Sequence, residues 1–210
     1  MRTRRLLTLA AAITVAATLT ACANDDTTAT TSTTPASSTA GTPGGSATGS
    51  DADIAFAQLM IPHHQQAIEM ADLAATNATS PAVKALATQI KAAQDPEIQT
   101  MTQWLTDWGA PTVMATPSDG GTDHGGMDMG GMTEAGMMSA EDMTALAQAT
   151  GGDFDTMWLQ MMITHHQGAI TMVQQVSENT TNPEVKAMAD AIIAGQTAEI
   201  TTMQQLLANK

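Results

Sequence analysis

The apolar positions after residue 52 recur with a helical period. In residues 53–108 they fall at spacings of three and four on two stretches, which a polar Asn77–Pro81 segment separates. Proline suits the first turn of a helix, so Pro81 indicates where the second stretch begins. The pattern therefore predicts two amphipathic helices joined as a hairpin. Pro62 and Pro96 fall inside these helices and predict a kink.

The hairpin pattern occurs twice. MIPHHQQAIEM at 60–70 matches MITHHQGAITM at 162–172, and the same spacing aligns residues 53–108 with 155–210 without a gap. A repeat of this kind indicates an architecture built from copies of one unit. Two hairpins provide four helices, which bury their apolar faces best against one another. We therefore expect an all-α fold, a four-helix bundle with pseudo-two-fold symmetry.

The segment before the first hairpin has a different character. Residues 1–21 combine an arginine-rich start with a short apolar run and are predicted to be a signal peptide, by the Sec or the twin-arginine route. The run ends in LTAC, which resembles the bacterial lipoprotein cleavage box, so Cys22 is the predicted lipidation site. The alternative is an ordinary cleavage site with an incidental cysteine. Residues 22–52, rich in Thr, Ser and Gly, are predicted to be a disordered tether.

The segment between the hairpins, residues 109–152, is rich in Gly and Met and largely lacks periodicity. We predict a long crossover loop, because structureless segments of this length are usually functional or disordered. A short helix over 140–149 is compatible with the pattern, since Ser139 can cap it.

Composition excludes several classes of function. With 21 Asp and Glu against 7 Lys and Arg, the chain carries a net charge of −14 and has no basic surface for nucleic acid. One cysteine excludes a disulfide framework and a multi-thiolate metal site. Aromatic residues at 2% disfavour a β-sandwich. The 17 methionines are the unusual feature that remains.

Four of the five histidines lie in the duplicated helices. His63 and His165 fall in the middle of the apolar stripes, whereas His64 and His166 fall at the stripe edges, because consecutive helical residues point about 100° apart. Imidazole and thioether together suit a soft metal such as Cu(I) or Ag(I). The alternative is an ordinary methionine-rich core around polar histidines. The candidate ligands are Met60, His63, His64, Met70, Glu97 and Met101, mirrored by Met162, His165, His166, Met172, Glu199 and Met203.

The acidic residues of the repeat leave several roles open. Glu97 and Glu199 follow Gln94 and Gln196 at the same spacing and could be ligands, partners that orient an imidazole, or flanking residues. Asp53 and Asp155 are interpreted as N-caps of their helices.

The crossover segment carries a second candidate metal site. His124, Met127, Met129 and Met132 are separated by glycines, and Met137 and Met138 follow in a segment where packing gives no reason for methionine. This grouping favours Cu(I) or Ag(I) capture. A low-complexity linker is the alternative.

The repeated M-I-x-H-H-Q-x-A-I-x-M, followed by a proline turn and Q-x-x-E-I-x-x-M, resembles the family of domains of unknown function 305 (DUF305). The resemblance covers both hairpins and implies a ferritin-like four-helix bundle of exported proteins implicated in copper binding and resistance. The HGGMDMGGM segment is similar to the methionine-rich motifs of exported copper-handling proteins. The residues of this chain that match the family pattern are His63, His64, Met70, Gln94, Glu97 and Met101 in the first hairpin, and His165, His166, Met172, Gln196, Glu199 and Met203 in the second. Thr164 and Gly168 differ from Pro62 and Gln66 without removing a ligand.

These patterns favour a non-enzymatic protein on the outer face of the bacterial cell membrane, anchored through Cys22, that sequesters or delivers Cu(I) or Ag(I). Its expected partners are the metal ion, the membrane, and a copper donor or acceptor protein whose identity is open. The alternatives are a ferritin-like di-metal oxidase, a b-type haem protein, and a structural or partner-binding bundle without metal. The oxidase ranks lower because no Glu-x-x-His sequence occurs in the chain. No nucleotide-binding or hydrolase motif is present.

Overall fold

The computed structural model describes residues 49–113 and 135–209, and all regular elements within these ranges are helices. The all-α class is confirmed. The helices are α1 (Asp51–Asn77), α2 (Pro81–Asp107), α3 (Ala140–Gln148), α4 (Gly151–Asn179) and α5 (Pro183–Ala208). Helix α4 thus begins within the range predicted as crossover loop. Helices α1 and α2 continue through Pro62 and Pro96.

The helix starts follow from capping side chains. Ser50 accepts the N–H of Asp53 at the start of α1, and Ser80 precedes Pro81 at the start of α2. Ser139 accepts the N–H of Asp142, whose carboxylate returns to the Ser139 N–H. The short helix and its cap are therefore confirmed.

Asp53 and Asp155 are not N-caps of their own helices, so that interpretation is wrong. Asp53 is the third residue of α1, where it completes a capping box with Ser50 and also accepts the hydroxyl of Thr180. Asp155 lies one turn into α4 and accepts the backbone N–H groups of Thr79 and Ser80, both at 3.0 Å. Each buried carboxylate therefore holds the turn of the opposite hairpin, a contact that no pattern within one helix could predict.

The four long helices form two antiparallel hairpins, α1 with α2 and α4 with α5, which meet mainly through α1 and α4. One hydrophobic core joins Phe56, early in α1, to Val176, late in α4. The other joins Ala74, late in α1, to Phe154, early in α4. Helices α1 and α4 are therefore antiparallel, and the pseudo-two-fold axis passes between the two cores.

A short segment and α3 cover the α1–α4 face. Leu146 of α3 is fully buried in the core around Phe154. Residues Ala135–Met138, called the strap below, precede α3, and Met138 packs against the same core. The expectation that packing gives no reason for Met138 is wrong. The core that Met138 contacts forms only when the hairpins pack together, so the local sequence did not indicate this contact. None of the helices in the described ranges meets the length and hydropathy needed to cross a membrane.

Candidate metal centre

The two central histidines of the repeats meet between the two cores. The ring centroids of His63 on α1 and His165 on α4 lie 3.8 Å apart, with the rings tilted by 39°. Both side chains are buried, at 2% and 0% exposed. The repeat brings them together because each sits midway along its apolar stripe, and antiparallel packing places the two midpoints opposite each other.

The hydrogen bonds of this pair leave several nitrogen atoms without partners. His63 Nε2 lies 3.1 Å from the carbonyl oxygen of Ala135. A carbonyl only accepts, so Nε2 carries the proton and Nδ1 of the neutral ring holds a lone pair. That Nδ1 has no partner, and neither ring nitrogen of His165 has one. Buried polar atoms without partners are costly and call for an explanation, such as an ion.

The outer histidines are oriented by the duplicated glutamates. His64 Nε2 lies 2.7 Å from Glu97 Oε2, and His166 Nε2 lies 2.8 Å from Glu199 Oε2. A carboxylate accepts the Nε2 proton in each pair, which leaves Nδ1 of each imidazole without a partner. Metal-binding histidines commonly donate their second nitrogen to a carboxylate or carbonyl in this way.

These two histidines are more deeply buried than their place at the stripe edge suggests. Both are 0% exposed, because α2 and α5 cover that side of α1 and α4. The glutamate side chains remain 23% and 19% exposed, so each carboxylate lies between a buried imidazole and the solvent.

Burial keeps the central pair uncharged. Removal from water, and secondarily the neighbouring His64, lower the pKa of His63 from 6.5 to about 3. Removal from water, and secondarily His63, lower the pKa of His165 well below 6.5. Both rings are therefore neutral at pH 7, the state in which imidazole binds metals.

The structure groups the candidate methionines across the repeats instead of within them. Met60 and Met70 are ten residues apart on α1, about 15 Å along the axis, and lie on opposite sides of the histidine pair. The first core contains the thioethers of Met60, Met101 and Met172. The second core contains those of Met70, Met162 and Met203. Each central histidine thus has thioethers from both hairpins in the adjoining cores, all of them buried.

Two buried glutamines extend the polar layer. Gln94 lies one turn before Glu97 on α2 and is 2% exposed, with neither amide atom hydrogen-bonded. Gln196 is its counterpart on α5, with an unpaired Oε1. The helical spacing had placed Gln94 and Gln196 on or beside the inner faces, whereas no sequence pattern indicated the carbonyl of Ala135.

The chemistry of these groups fits a soft metal. Within residues 49–113 and 135–209, no three His, Cys, Asp or Glu side chains form a group that could hold a metal ion. A metal at this place would therefore combine imidazole nitrogen with thioether sulfur, a donor set that suits Cu(I) and Ag(I) better than Ca²⁺ or Mg²⁺. The carboxylates that a di-metal oxidase would need, Glu97 and Glu199, each bond an imidazole of their own hairpin.

The remaining candidates lie outside the described residues. These are Cys22, the predicted lipidation site, and the methionine-rich cluster of His124, Met127, Met129 and Met132.

The repeated histidine motif belongs to a known protein family. The profile of the domain of unknown function DUF305 matches residues 53–207, which include both hairpins and the segment between them. The chain belongs to this family. No curated protein sequence matches the chain significantly.

Several solved DUF305 structures share the fold. A Streptomyces coelicolor DUF305 protein, described as secreted, is 32% identical over 75% of this chain and 93% of its own, with a TM-score of 0.67. A DUF305 fragment from Deinococcus radiodurans is 26% identical over 78% of this chain and 99% of its own, with a TM-score of 0.65. Both confirm a helical fold.

A third neighbour has been solved with metals. CopM in its Cu(II)-bound form is 36% identical over 75% of this chain and 96% of its own, with a TM-score of 0.59. CopM has also been solved in Cu(I)-bound and silver-bound forms, at 36% and 34% identity.

Proposed function

We propose that this DUF305 protein is an exported, lipid-anchored protein that binds Cu(I) or Ag(I) and sequesters or delivers it. The observation that carries the proposal is the His63–His165 pair, buried and neutral, with three of its four ring nitrogens unpaired. The binding of copper and silver by CopM supports the choice of metal.

In this proposal the central ligands are His63 and His165, and thioethers from the two adjoining cores complete the set. His64 and His166 remain candidate ligands, since their Nδ1 atoms also have no hydrogen-bond partner. Glu97 and Glu199 orient these outer imidazoles and remain candidate ligands themselves. Thioether and neutral imidazole bind Cu(I) without losing a proton, so the occupied site carries the single positive charge of the ion.

The methionine-rich segment provides a second metal-binding site in the proposal. His124, Met127, Met129 and Met132 would take up metal first, and the bundle would hold it more tightly. The two sites separate capture from storage, which fits either sequestration or delivery to a partner protein.

A titration with Cu(I) under reducing conditions tests the proposed function. The chain is expected to bind Cu(I), and replacing Met127, Met129 and Met132 with serine is expected to lower the stoichiometry while the tightest binding remains. The matched control replaces Met157 and Met188, which lie outside both candidate sets, with leucine and is expected to bind as the unchanged chain does. Absence of Cu(I) binding, or equal losses in both variants, would contradict the proposal.

Export and anchoring have their own test. The proposed anchor is a lipid on Cys22, because the acidic chain has no electrostatic attraction to an anionic membrane. The substitution Cys22→Ser is expected to move the protein from the membrane fraction to the medium or periplasm. Immunoblots of fractionated cells measure this change, and Thr20→Ser serves as the control. Unchanged membrane association of the Cys22→Ser chain would refute the lipid anchor.

A further inference from the structure

The strap lies against both hairpins beside the central histidines. On the α1 side, the Gln66 side chain accepts the Met138 N–H at 2.7 Å and donates to the Met138 carbonyl at 2.9 Å. This pairing satisfies both backbone groups of Met138, as a neighbouring strand would. The strap is therefore fixed to α1 three residues beyond the carbonyl that accepts from His63.

On the α4 side, the strap approaches the helix backbone so closely that two glycines are required. Gly136 has a φ of +75°, and a Cβ there would lie 2.7 Å from the Thr164 carbonyl oxygen and 2.9 Å from that of His165. A Cβ on Gly168 would collide with the carbonyl of Ala135. The strap thus occupies the space that a side chain at position 168 would fill.

This contact explains a difference between the two repeats. Gln66 and Gly168 occupy equivalent positions, yet one is a long amide and the other has no side chain. The strap requires both residues. The Gln66 amide on α1 hydrogen-bonds the strap backbone, and the absence of a side chain at Gly168 leaves room for the strap against α4. The same contact makes the histidine pair asymmetric, because the strap provides a carbonyl partner to His63 and none to His165.

We propose that the strap is a positioning element of the metal centre. Through the Ala135 carbonyl it holds the Nε2 proton on His63, so that the Nδ1 lone pair is the one presented to the metal. Gln66 and Gly168 act through the strap and are positioning residues. The inference rests on the proposed function for its metal, but the proton position on His63 can be measured without one.

The test compares two glycine-to-alanine substitutions in helices of the same hairpin. Gly168→Ala displaces the strap, whereas a Cβ at Gly195, an exposed position of α5, meets nothing within 4 Å. Both substitutions favour the helical conformation by about 1 kcal/mol, so neither is expected to unfold the helices. Gln66→Ala releases the strap from α1 without adding an atom near α4 and serves as the second variant.

Two readouts are taken on the full-length chain with Met127, Met129 and Met132 replaced by serine, so that the crossover segment does not mask a change in affinity. Long-range ¹⁵N–¹H correlation spectra of the metal-free protein report which nitrogen of His63 is protonated. Competition with a Cu(I) chelator reports affinity. Gly168→Ala and Gln66→Ala are expected to shift His63 away from a single Nε2-protonated tautomer and to weaken Cu(I) binding by about 10- to 100-fold, the usual effect of losing an orienting partner. Gly195→Ala is expected to change neither.

An unchanged His63 tautomer in both strap variants would overturn the proposal, and so would unchanged Cu(I) affinity despite a shifted tautomer. If the unsubstituted chain binds no Cu(I), the proposed function fails on its own. The tautomer spectra then still decide whether the strap orients His63.

Discussion

Replacing His63 and His165 together with leucine is expected to lower the Cu(I) affinity of the buried centre by more than about 100-fold. Loss of a single orienting partner already weakens metal sites by about 10- to 100-fold, and this variant removes two ligands. Competition with a chromophoric Cu(I) chelator measures the change. The titration is made in a chain whose Met127, Met129 and Met132 are serine, so that the crossover segment does not mask the loss.

The same variant is expected to fold at least as well as the unchanged chain. Leucine fills a similar volume, and the removal of three buried nitrogens without hydrogen-bond partners offsets the loss of the His63 hydrogen bond to the Ala135 carbonyl. Thermal unfolding at pH 7, followed by circular dichroism, should therefore show an equal or higher midpoint. A folded His63→Leu, His165→Leu variant that keeps its Cu(I) affinity would contradict the assignment of these ligands.

The metal-free protein is expected to lose stability as the pH falls below 6.5. The pKa of His63 is 6.5 in the unfolded chain and about 3 in the fold, so between these values the unfolded state binds a proton that the folded state does not. The free energy of unfolding therefore has its full value above pH 6.5 and decreases as the pH falls from 6.5 towards 3. For His63 the loss at pH 5 is about 2 kcal/mol relative to pH 8. His165, whose pKa is also lowered, adds a loss of the same sign.

Urea unfolding at pH 8, 6 and 5 measures this dependence. The His63→Leu, His165→Leu variant provides the control, because it retains every carboxylate and lacks only the two buried rings. Between pH 8 and pH 5 the free energy of unfolding should decrease in both proteins. The decrease in the variant should be smaller than that in the unchanged chain, and the difference should be at least the His63 contribution. Identical pH profiles for the two proteins would show that the central rings are not held neutral by burial.

Much of the fold follows from patterns within single helices. The spacing of apolar residues predicted both hairpins, and Pro81 and Ser139 marked helix starts that the structure confirms. The repeat places His63 and His165 at equivalent positions. When the two hairpins pack about a pseudo-two-fold axis, these equivalent residues therefore meet on it. Local periodicity and capping chemistry were sufficient for these features.

The grouping of the methionines and the partners of the histidines depend on which helices become neighbours. A helical wheel groups Met60 with Met70, but antiparallel packing of α1 on α4 places them in different cores. The wheel also left three roles open for Glu97, and only the position of α2 brings its carboxylate to His64. The Ala135 carbonyl carries no side-chain signal, although the mismatch of Gln66 with Gly168 marked the place where the strap lies.

X-ray absorption spectroscopy of Cu(I) bound to the chain with serine at 127, 129 and 132 tests the proposed metal centre most directly. Both imidazole nitrogen and thioether sulfur are expected around the copper, with the imidazole scattering reduced or lost in the His63→Leu, His165→Leu variant. A copper environment that lacks either nitrogen or sulfur donors would contradict a metal centre at His63 and His165. A copper environment that is identical in the two proteins would contradict it as well.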